Sequence, residues 1–313
     1  MRAVGVVEFG GPEVLQVVDL PERHAGPGQV RLRVHAATVN PTDTYTRNGD
    51  RAEMLAKSGP PPYVSGMDVA GVVDEIGEGT VTDLTVGDRA MAIVLPRGSH
   101  GGYSESLVLP AASVVRAPAG ASFAEASTVP MNSLTARLTL DLLALQPGQT
   151  IAVTGAAGAY GGFVVQLAKA DGLIVVADAS EADEALVAGL GADHVVRRGD
   201  DVADRIRVLF PDGVDALADG SVQNELVVPA IKDGGGFATV RGWSGPADRG
   251  ITVHGVWIGQ YIEAHDQLDH IRELVEEGRV SLRVARTFPA EQAAEAHRLL
   301  QAGGTRGRLV LEF

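Results

Sequence analysis

Residues 150–178 read TIAVTGAAGAYGGFVVQLAKADGLIVVAD. After the Pro147-Gly148 turn, Ile151, Ala152, Val153 and Thr154 make a short apolar run with the length and branching of a buried parallel strand. Gly155, Gly158, Gly161 and Gly162 sit where a strand hands over to a helix, and Phe163, Val164, Leu167 and Ala168 recur at helical spacing. Asp171-Gly172 stops that helix, and Leu173, Ile174, Val175 and Val176 read as a second buried strand. Small residues at such a turn let the backbone approach a pyrophosphate, whose charge sits on unpaired amides and the positive dipole end of the helix. An ordinary strand-to-helix turn also uses glycine, for geometry alone. Here the strand before, the helix after and Asp178, about 20 residues on, agree on a dinucleotide seat.

At 313 residues the chain is long enough for two domains, and 45% hydrophobic content with few aromatics describes an ordinary globular core. A net charge of -14 disfavours nucleic acid and anionic membrane, so a small-molecule partner is expected. The absence of cysteine excludes disulfides, thiolate nucleophiles and cysteine-ligated metal. The opening MRAVGVVEFG lacks an apolar segment of signal-peptide length, and no later run reaches membrane-spanning length; the expected location is the cytoplasm.

Residues 1–117 are rich in Val, Gly and Pro, with short runs at 30–34, 69–73, 89–94 and 107–115 that predict a barrel or rolled sheet. Helical spacing begins at 122–126 and continues through 133–145. Beyond the βαβ unit, helices are expected at 181–189, 202–209 and 225–231, and strands at 194–196, 214–218 and 236–240, which means an open parallel sheet covered on both faces. Helices at 268–277 and 290–300 and strands at 283–288 and 308–313 close the chain. A doubly wound α/β nucleotide domain is thus expected inside a β-rich one.

Four stretches carry a family resemblance over nearly the whole chain: FGGPEVL (9–15), AATVNPTDTYTRNG (36–49), YVSGMDVAGVVDEIGEGT (63–80) followed by GDRA (87–90), and TGAAGAYGGFVVQLAKADG (154–172) with LGADHVV (190–196). Together they resemble the zinc-free quinone oxidoreductase branch of the medium-chain dehydrogenase/reductase superfamily, the branch of zeta-crystallin. The resemblance implies a GroES-like catalytic domain at 1–120 and 262–313 and a Rossmann domain at 121–261. The zinc enzymes of the superfamily carry Cys at the position of Asn40 and His at that of Met67, so no zinc is expected. By resemblance Asn40 takes the vacated metal position beside the nicotinamide, Tyr45 lines the cleft as donor or proton source, and Thr135 contacts the nicotinamide ribose. Gly155, Ala156, Ala157, Gly158, Ala159, Tyr160, Gly161, Asp178, Arg198 and Arg308 complete the expected cofactor contacts. Read as residues alone, Asn40-Pro41-Thr42-Asp43 is equally an Asx-type turn with Tyr45 a packing residue. Ala159-Tyr160 departs from the family's usual Gly-Val, and the ring either crowds the pyrophosphate or lies over the helix start.

Asp178, with Glu181, Asp183 and Glu184 beyond it, suits the ribose hydroxyls of NADH. Arg198, at the place of a family tyrosine, either supplies a cation for the extra phosphate of NADPH, the cofactor the resemblance favours, or is with Arg197 a solvated basic pair without a ligand. The implied reaction is hydride transfer to a quinone or an α,β-unsaturated carbonyl compound. Two alternatives are an enoyl-thioester or polyketide-type enoyl reductase, for which Arg47, Arg51 and Lys57 would form a basic rim, and a cofactor-binding sensor or crystallin-like protein without turnover. Residues 48–63 form the lip of the cleft or a plain connection, and Arg241, Trp243 and Trp257 are weaker ligand candidates. The resemblance also implies a homodimer joined through an edge strand, for which residues 251–258, ITVHGVWI, are apolar enough.

Overall fold

The structure, a computed structural model, describes residues 1–245 and 248–313. The chain divides into two compact units: Met1–Met131, Ile262–Glu276 and Leu282–Phe313 make one, and Asn132–Tyr261 with Glu277–Ser281 make the other. Residues 121–131 therefore belong with the β-rich unit and 277–281 with the nucleotide unit, a division finer than sequence texture resolves.

In the β-rich unit the seven-stranded sheet runs Val284–Pro289, Arg308–Glu312, Gln29–Thr38, Asp68–Ile76, Arg89–Ile93, Val114–Arg116, with Ser106–Pro110 also paired to Gln29–Thr38. Arg2–Val6, between Leu15–Asp19 and Tyr63–Val64, forms a second, three-stranded sheet. Gln29–Thr38 alternates buried and part-exposed residues, and Val30, Leu32 and Val34 enter a core with Val69, Val73, Leu107 and Leu309. The apolar run at 107–115 is broken after Pro110 by the 3-10 turn Ala111–Ser113. The Asn40 segment is not a free turn but the start of the helix Pro41–Asn48, where proline at the first position costs no hydrogen bond. The stretch 48–63 likewise contains a short helix, Ala52–Ala56.

The nucleotide unit holds a six-stranded sheet in the order His194–Arg197, Ile174–Ala179, Thr150–Thr154, Val214–Asp219, Ile231–Thr239, Thr252–Gly255, parallel throughout. Val153, Val176 and Leu217 are fully enclosed or nearly so, as strands covered on both faces require. The helix expected at 225–231 is replaced by two 3-10 turns, Asn224–Leu226 and Val228–Ala230, because Pro229 cannot donate within a helix and Ile231 already begins a strand. Thr252–Gly255 is one of the two edge strands, paired on one side only among the described residues. No helix among the described residues is long and apolar enough to cross a membrane.

One buried polar chain pins the Pro41–Asn48 helix in its unit. Asp43, 2% exposed, accepts from the Asn40 amide at 2.8 Å, the Gly66 amide at 3.1 Å and Tyr103 Oη at 2.9 Å. Tyr103 Oη lies 3.2 Å from Nε2 of the fully buried His297, and Arg47 Nη1 reaches His297 Nδ1 at 3.4 Å. A neutral ring with its proton on Nε2 satisfies both contacts. Burial raises Asp43 to about 6, against the hydrogen bonds that lower it, and burial with the Arg47 charge lowers His297 to about 3.

The two shifts act on stability with opposite signs. The folded state holds the Asp43 proton more tightly, so this group's contribution declines as pH rises from about 4 to about 6. The unfolded state protonates His297 more readily, so that contribution declines as pH falls from about 6.5 towards 3. Across pH 4 to 6 they offset one another. Asp43→Asn is therefore expected to lose stability more steeply than wild type on acidification through this window, and His297→Gln less steeply. Urea midpoints at half-unit pH steps check this, and parallel curves for all three proteins refute it.

Candidate active site

In the nucleotide unit, Thr150–Thr154 connects to Ile174–Ala179 on one side, and its other neighbour, Val214–Asp219, connects to Ile231–Thr239 on the far side, so connections from these two adjacent strands run in opposite directions. The carboxyl end of that strand is a topological switch point, the place where open α/β sheets take ligands. The glycine loop opens there. Gly155 has φ +66° and a Cβ on it would stand 2.9 Å from the Gly220 carbonyl carbon; a Cβ on Gly161 would stand 2.4 Å from the Gly155 oxygen. Neither position admits a side chain. Ala156 and Ala157 are buried, and Ala159 opens the twelve-residue helix Ala159–Ala170, whose N-cap, Gly158, brings no side chain to cover the dipole end.

Tyr160 turns its ring towards Gly220, where an added Cβ would come within 3.0 Å of it, and its hydroxyl lies 2.8 Å from Thr139 Oγ1. Thr139 in turn donates to the carbonyl of Thr135, which is 9% exposed on the helix Pro130–Leu143. Asp178, 5% exposed, accepts from the Ala156 amide at 3.1 Å. Burial raises its pKa, countered by the loop amides and the charge of Arg198. The carboxylate is thus committed to holding the glycine loop. Arg198 is exposed, its amide donating to the Ala179 carbonyl at 2.8 Å. Of the further acids, Glu181 pairs with Arg197 at 3.5 Å, and buried Asp183 accepts from Ser180 Oγ at 2.6 Å.

The β-rich unit carries the second cluster. Asn40 and Asp68 are fully buried and Arg308 is 5% exposed. Asp68 Oδ2 accepts from Thr38 Oγ1 and Asn40 Nδ2, both at 2.7 Å, and Asp68 Oδ1 accepts from the Met131 amide. Arg308 Nη2 donates to Asn40 Oδ1 at 2.6 Å and Thr38 Oγ1 at 2.8 Å, and stands 3.3 Å from both Asp68 Oδ2 and the Val39 carbonyl. Arg308 Nη1 is buried without a hydrogen-bond partner. Met67 is buried and accepts from Thr42 Oγ1 at 3.3 Å. Among the described residues no group of three or more His, Cys, Asp or Glu could hold a metal ion. Tyr45 is half-buried, with the Arg51 guanidinium 5.2 Å above its ring.

Other candidates fall elsewhere. Arg47 is 2% exposed and bonded to the Gly10 carbonyl and the His297 ring, so it forms no basic rim. Trp243 packs edge-on against Phe237 in the core of the nucleotide unit, whereas Trp257 is 63% exposed.

Sequence reasoning missed Asp68, Asp219 and Thr239. Asp219 ends its strand, taking Thr154 Oγ1 at 2.6 Å and the Asn224 amide at 2.7 Å, and Thr239 Oγ1 is buried without a partner. The available signal was an acid or a threonine at a strand terminus: Asp68 opens its strand, and Asp219 and Thr239 close theirs.

These features fit a nicotinamide dinucleotide. The loop carries no side chain larger than a methyl group where a pyrophosphate must approach, and it leads into a helix whose N-cap is glycine.

Comparison with known proteins agrees. Residues 26–119 match the family model described as alcohol dehydrogenase GroES-like domain, and residues 190–311 match that of zinc-binding dehydrogenase. Quinone oxidoreductase of Mus musculus is 30% identical over 99% of this chain and 97% of its own length, and 2-haloacrylate reductase of Burkholderia sp is 30% identical over 99% and 98%. A crystal structure of an NAD-dependent alcohol dehydrogenase superposes over 100% of both chains with a TM-score of 0.88 at 32% identity. The word zinc in the second family description meets a chain with no cysteine, in which no group of three or more His, Cys, Asp or Glu among the described residues could hold a metal ion. The chain is an oxidoreductase of the zinc-free quinone oxidoreductase branch of the medium-chain dehydrogenase/reductase superfamily.

Proposed function

We propose that this protein is an NADPH-dependent reductase of quinones or α,β-unsaturated carbonyl compounds. The observation that carries the reading is the loop 155–158 at the switch point, Gly-Ala-Ala-Gly, whose largest side chain is a methyl group and which leads into a helix with a glycine N-cap. When bound, a reduced nicotinamide supplies hydride to the quinone or to the β-carbon of the enone. Gly155, Ala156, Ala157, Gly158, Ala159, Tyr160 and Gly161 seat the pyrophosphate, and Thr135 holds the nicotinamide ribose. Arg308 and Asn40 supply polar contacts near the reacting end, taking the part that a metal plays elsewhere in the superfamily. Tyr45 donates a hydrogen bond or a proton to the carbonyl oxygen; a positioned donor is worth about 10² to 10⁴ in rate, so Tyr45→Phe slows turnover without abolishing it.

The commitment of Asp178 to the Ala156 amide supports NADPH. A carboxylate tied to the loop is a poor partner for the ribose hydroxyls of NADH, while exposed Arg198 on the neighbouring strand end offers a cation to a phosphate. The outer strand Thr252–Gly255 is the proposed pairing edge of a homodimer.

A panel of quinones, enones and enoyl thioesters, followed by loss of reduced nicotinamide absorbance, tests the substrate class; turnover of none of them with tight NADPH binding points instead to a sensor. Arg198→Gln is expected to raise KM for NADPH about tenfold, the scale of one charge-assisted contact, while leaving KM for NADH unchanged. A tenfold preference of the wild type for NADH refutes the Arg198 assignment.

A further inference from the structure

Ala159-Tyr160 stands where the family usually has Gly-Val, so a phenol replaces a side chain that forms no hydrogen bond. Its ring lies over Gly220, where an added Cβ would stand 3.0 Å from Tyr160 Cδ1 and 2.7 Å from the Thr154 carbonyl oxygen. Its hydroxyl reaches Thr139 Oγ1 at 2.8 Å. Thr139 is fully buried on the helix Pro130–Leu143, and its single hydroxyl proton goes to the Thr135 carbonyl one turn back, at 2.9 Å. With that proton committed, the contact between the two hydroxyls has one polarity: Tyr160 donates and Thr139 Oγ1 accepts. Burial raises the phenol pKa, against the Thr139 contact and with the charge of Asp219, and keeps the donor protonated. A chain of bonds therefore runs from the first turn of Ala159–Ala170 through Thr139 to the Thr135 carbonyl, and bonds in series strengthen one another. Every member belongs to the nucleotide unit.

The side on which the ring sits follows from the sheet. Thr150–Thr154 lies between Ile174–Ala179, which carries Asp178, and Val214–Asp219, which leads into Gly220. A dinucleotide crosses such a switch point with its adenosine half on the side of the acid-bearing strand, so Tyr160 stands on the nicotinamide side. We propose that Tyr160 is a positioning residue of the nucleotide unit: its hydroxyl, acting through Thr139, holds the helical turn that carries Thr135 at a fixed distance from the pyrophosphate loop, and so sets the seat of the nicotinamide ribose. The inference rests on the functional reading above and adds to it a residue through which one half of the coenzyme is held. Both helices keep their own buried anchors without the hydroxyl, Leu134 and Leu138 on one, Phe163, Val164 and Leu167 on the other. What its removal releases is the spacing of the Thr135 turn from the loop, which loosens the grip on the nicotinamide half and leaves the adenosine half alone.

The test compares wild type, Tyr160→Phe, Thr139→Val, Thr139→Ser and the double variant Tyr160→Phe with Thr139→Val. Calorimetric titration measures Kd for NADPH and NADH and, as adenosine halves, for adenosine 2′,5′-bisphosphate and ADP; thermal melting checks the fold. Tyr160→Phe keeps the ring over Gly220 and Thr139→Val keeps the side-chain shape, so each removes little but the bond. Each is expected to raise Kd for the tighter-bound coenzyme about fivefold, the scale of one neutral hydrogen bond, and to change Kd for the matching adenosine half by less than about twofold. The double variant is expected to be no worse than either single one, because both remove the same bond. Thr139→Ser, which keeps the hydroxyl, is expected to bind as wild type does. An unchanged coenzyme Kd in Tyr160→Phe overturns the proposal. Equal weakening of coenzyme and adenosine half, the mark of a merely structural hydroxyl, overturns it too, as do losses that add in the double variant. Should Thr139→Val fail to fold, Tyr160→Phe decides by the same comparison of the two ligands. Wild type that binds neither coenzyme overturns the functional reading itself; wild type that binds one, with variants that match it, overturns this inference alone.

Discussion

A carboxylate taken out of water must be surrounded by donors, and both units of this protein are built on that requirement. Asp43 and Asp68 in the β-rich unit, and Asp178 and Asp219 in the nucleotide unit, are each at most 5% exposed. Each accepts from a backbone amide of a loop or helix start: Asn40 and Gly66 for Asp43, Met131 for Asp68, Ala156 for Asp178, Asn224 for Asp219. An unsatisfied buried polar group costs about 1–3 kcal/mol, and more when charged, so these loops have few alternative conformations to visit. The acids fix loops and the starts of helices.

The same requirement explains how a scaffold related to metal-dependent dehydrogenases keeps an ordered site without the ligands for zinc. A bound metal would orient its neighbours by coordination. Here order around Asn40 comes from an ion pair of Asp68 with Arg308. A buried ion pair contributes little net stability, because desolvation cancels most of the attraction. Its value lies in direction: Arg308 meets Thr38, Asn40 and Asp68 through one nitrogen, and the other is left over.

Much of this was legible in the chain itself. The βαβ unit, the parallel sheet and the β-rich first unit follow from apolar runs of strand length separated by helical spacing, since local periodicity reports which face is buried. Two helices escaped notice. Pro41–Asn48 is polar almost throughout and has no apolar stripe to betray it, and Ala52–Ala56 is little more than one turn. The segment 225–231 erred the other way, its helical spacing overruled by Pro229.

For the site, sequence alone determined the residue types and their order: the glycines of the loop, an asparagine at 40, an acid at 178 and an arginine at 198. It could not say what Asp178 does, because a carboxylate near a strand end serves a ribose or its own loop depending on which way one side chain turns. Nor could it join Asn40, Asp68 and Arg308, which lie 28 and 268 residues from the first of them along the chain yet share hydrogen bonds. Those pairings arise because the strands Arg308–Glu312, Gln29–Thr38 and Asp68–Ile76 are neighbours in one sheet. Strand pairing between distant segments is decided by the packing of the whole unit, and no local pattern of residues encodes it.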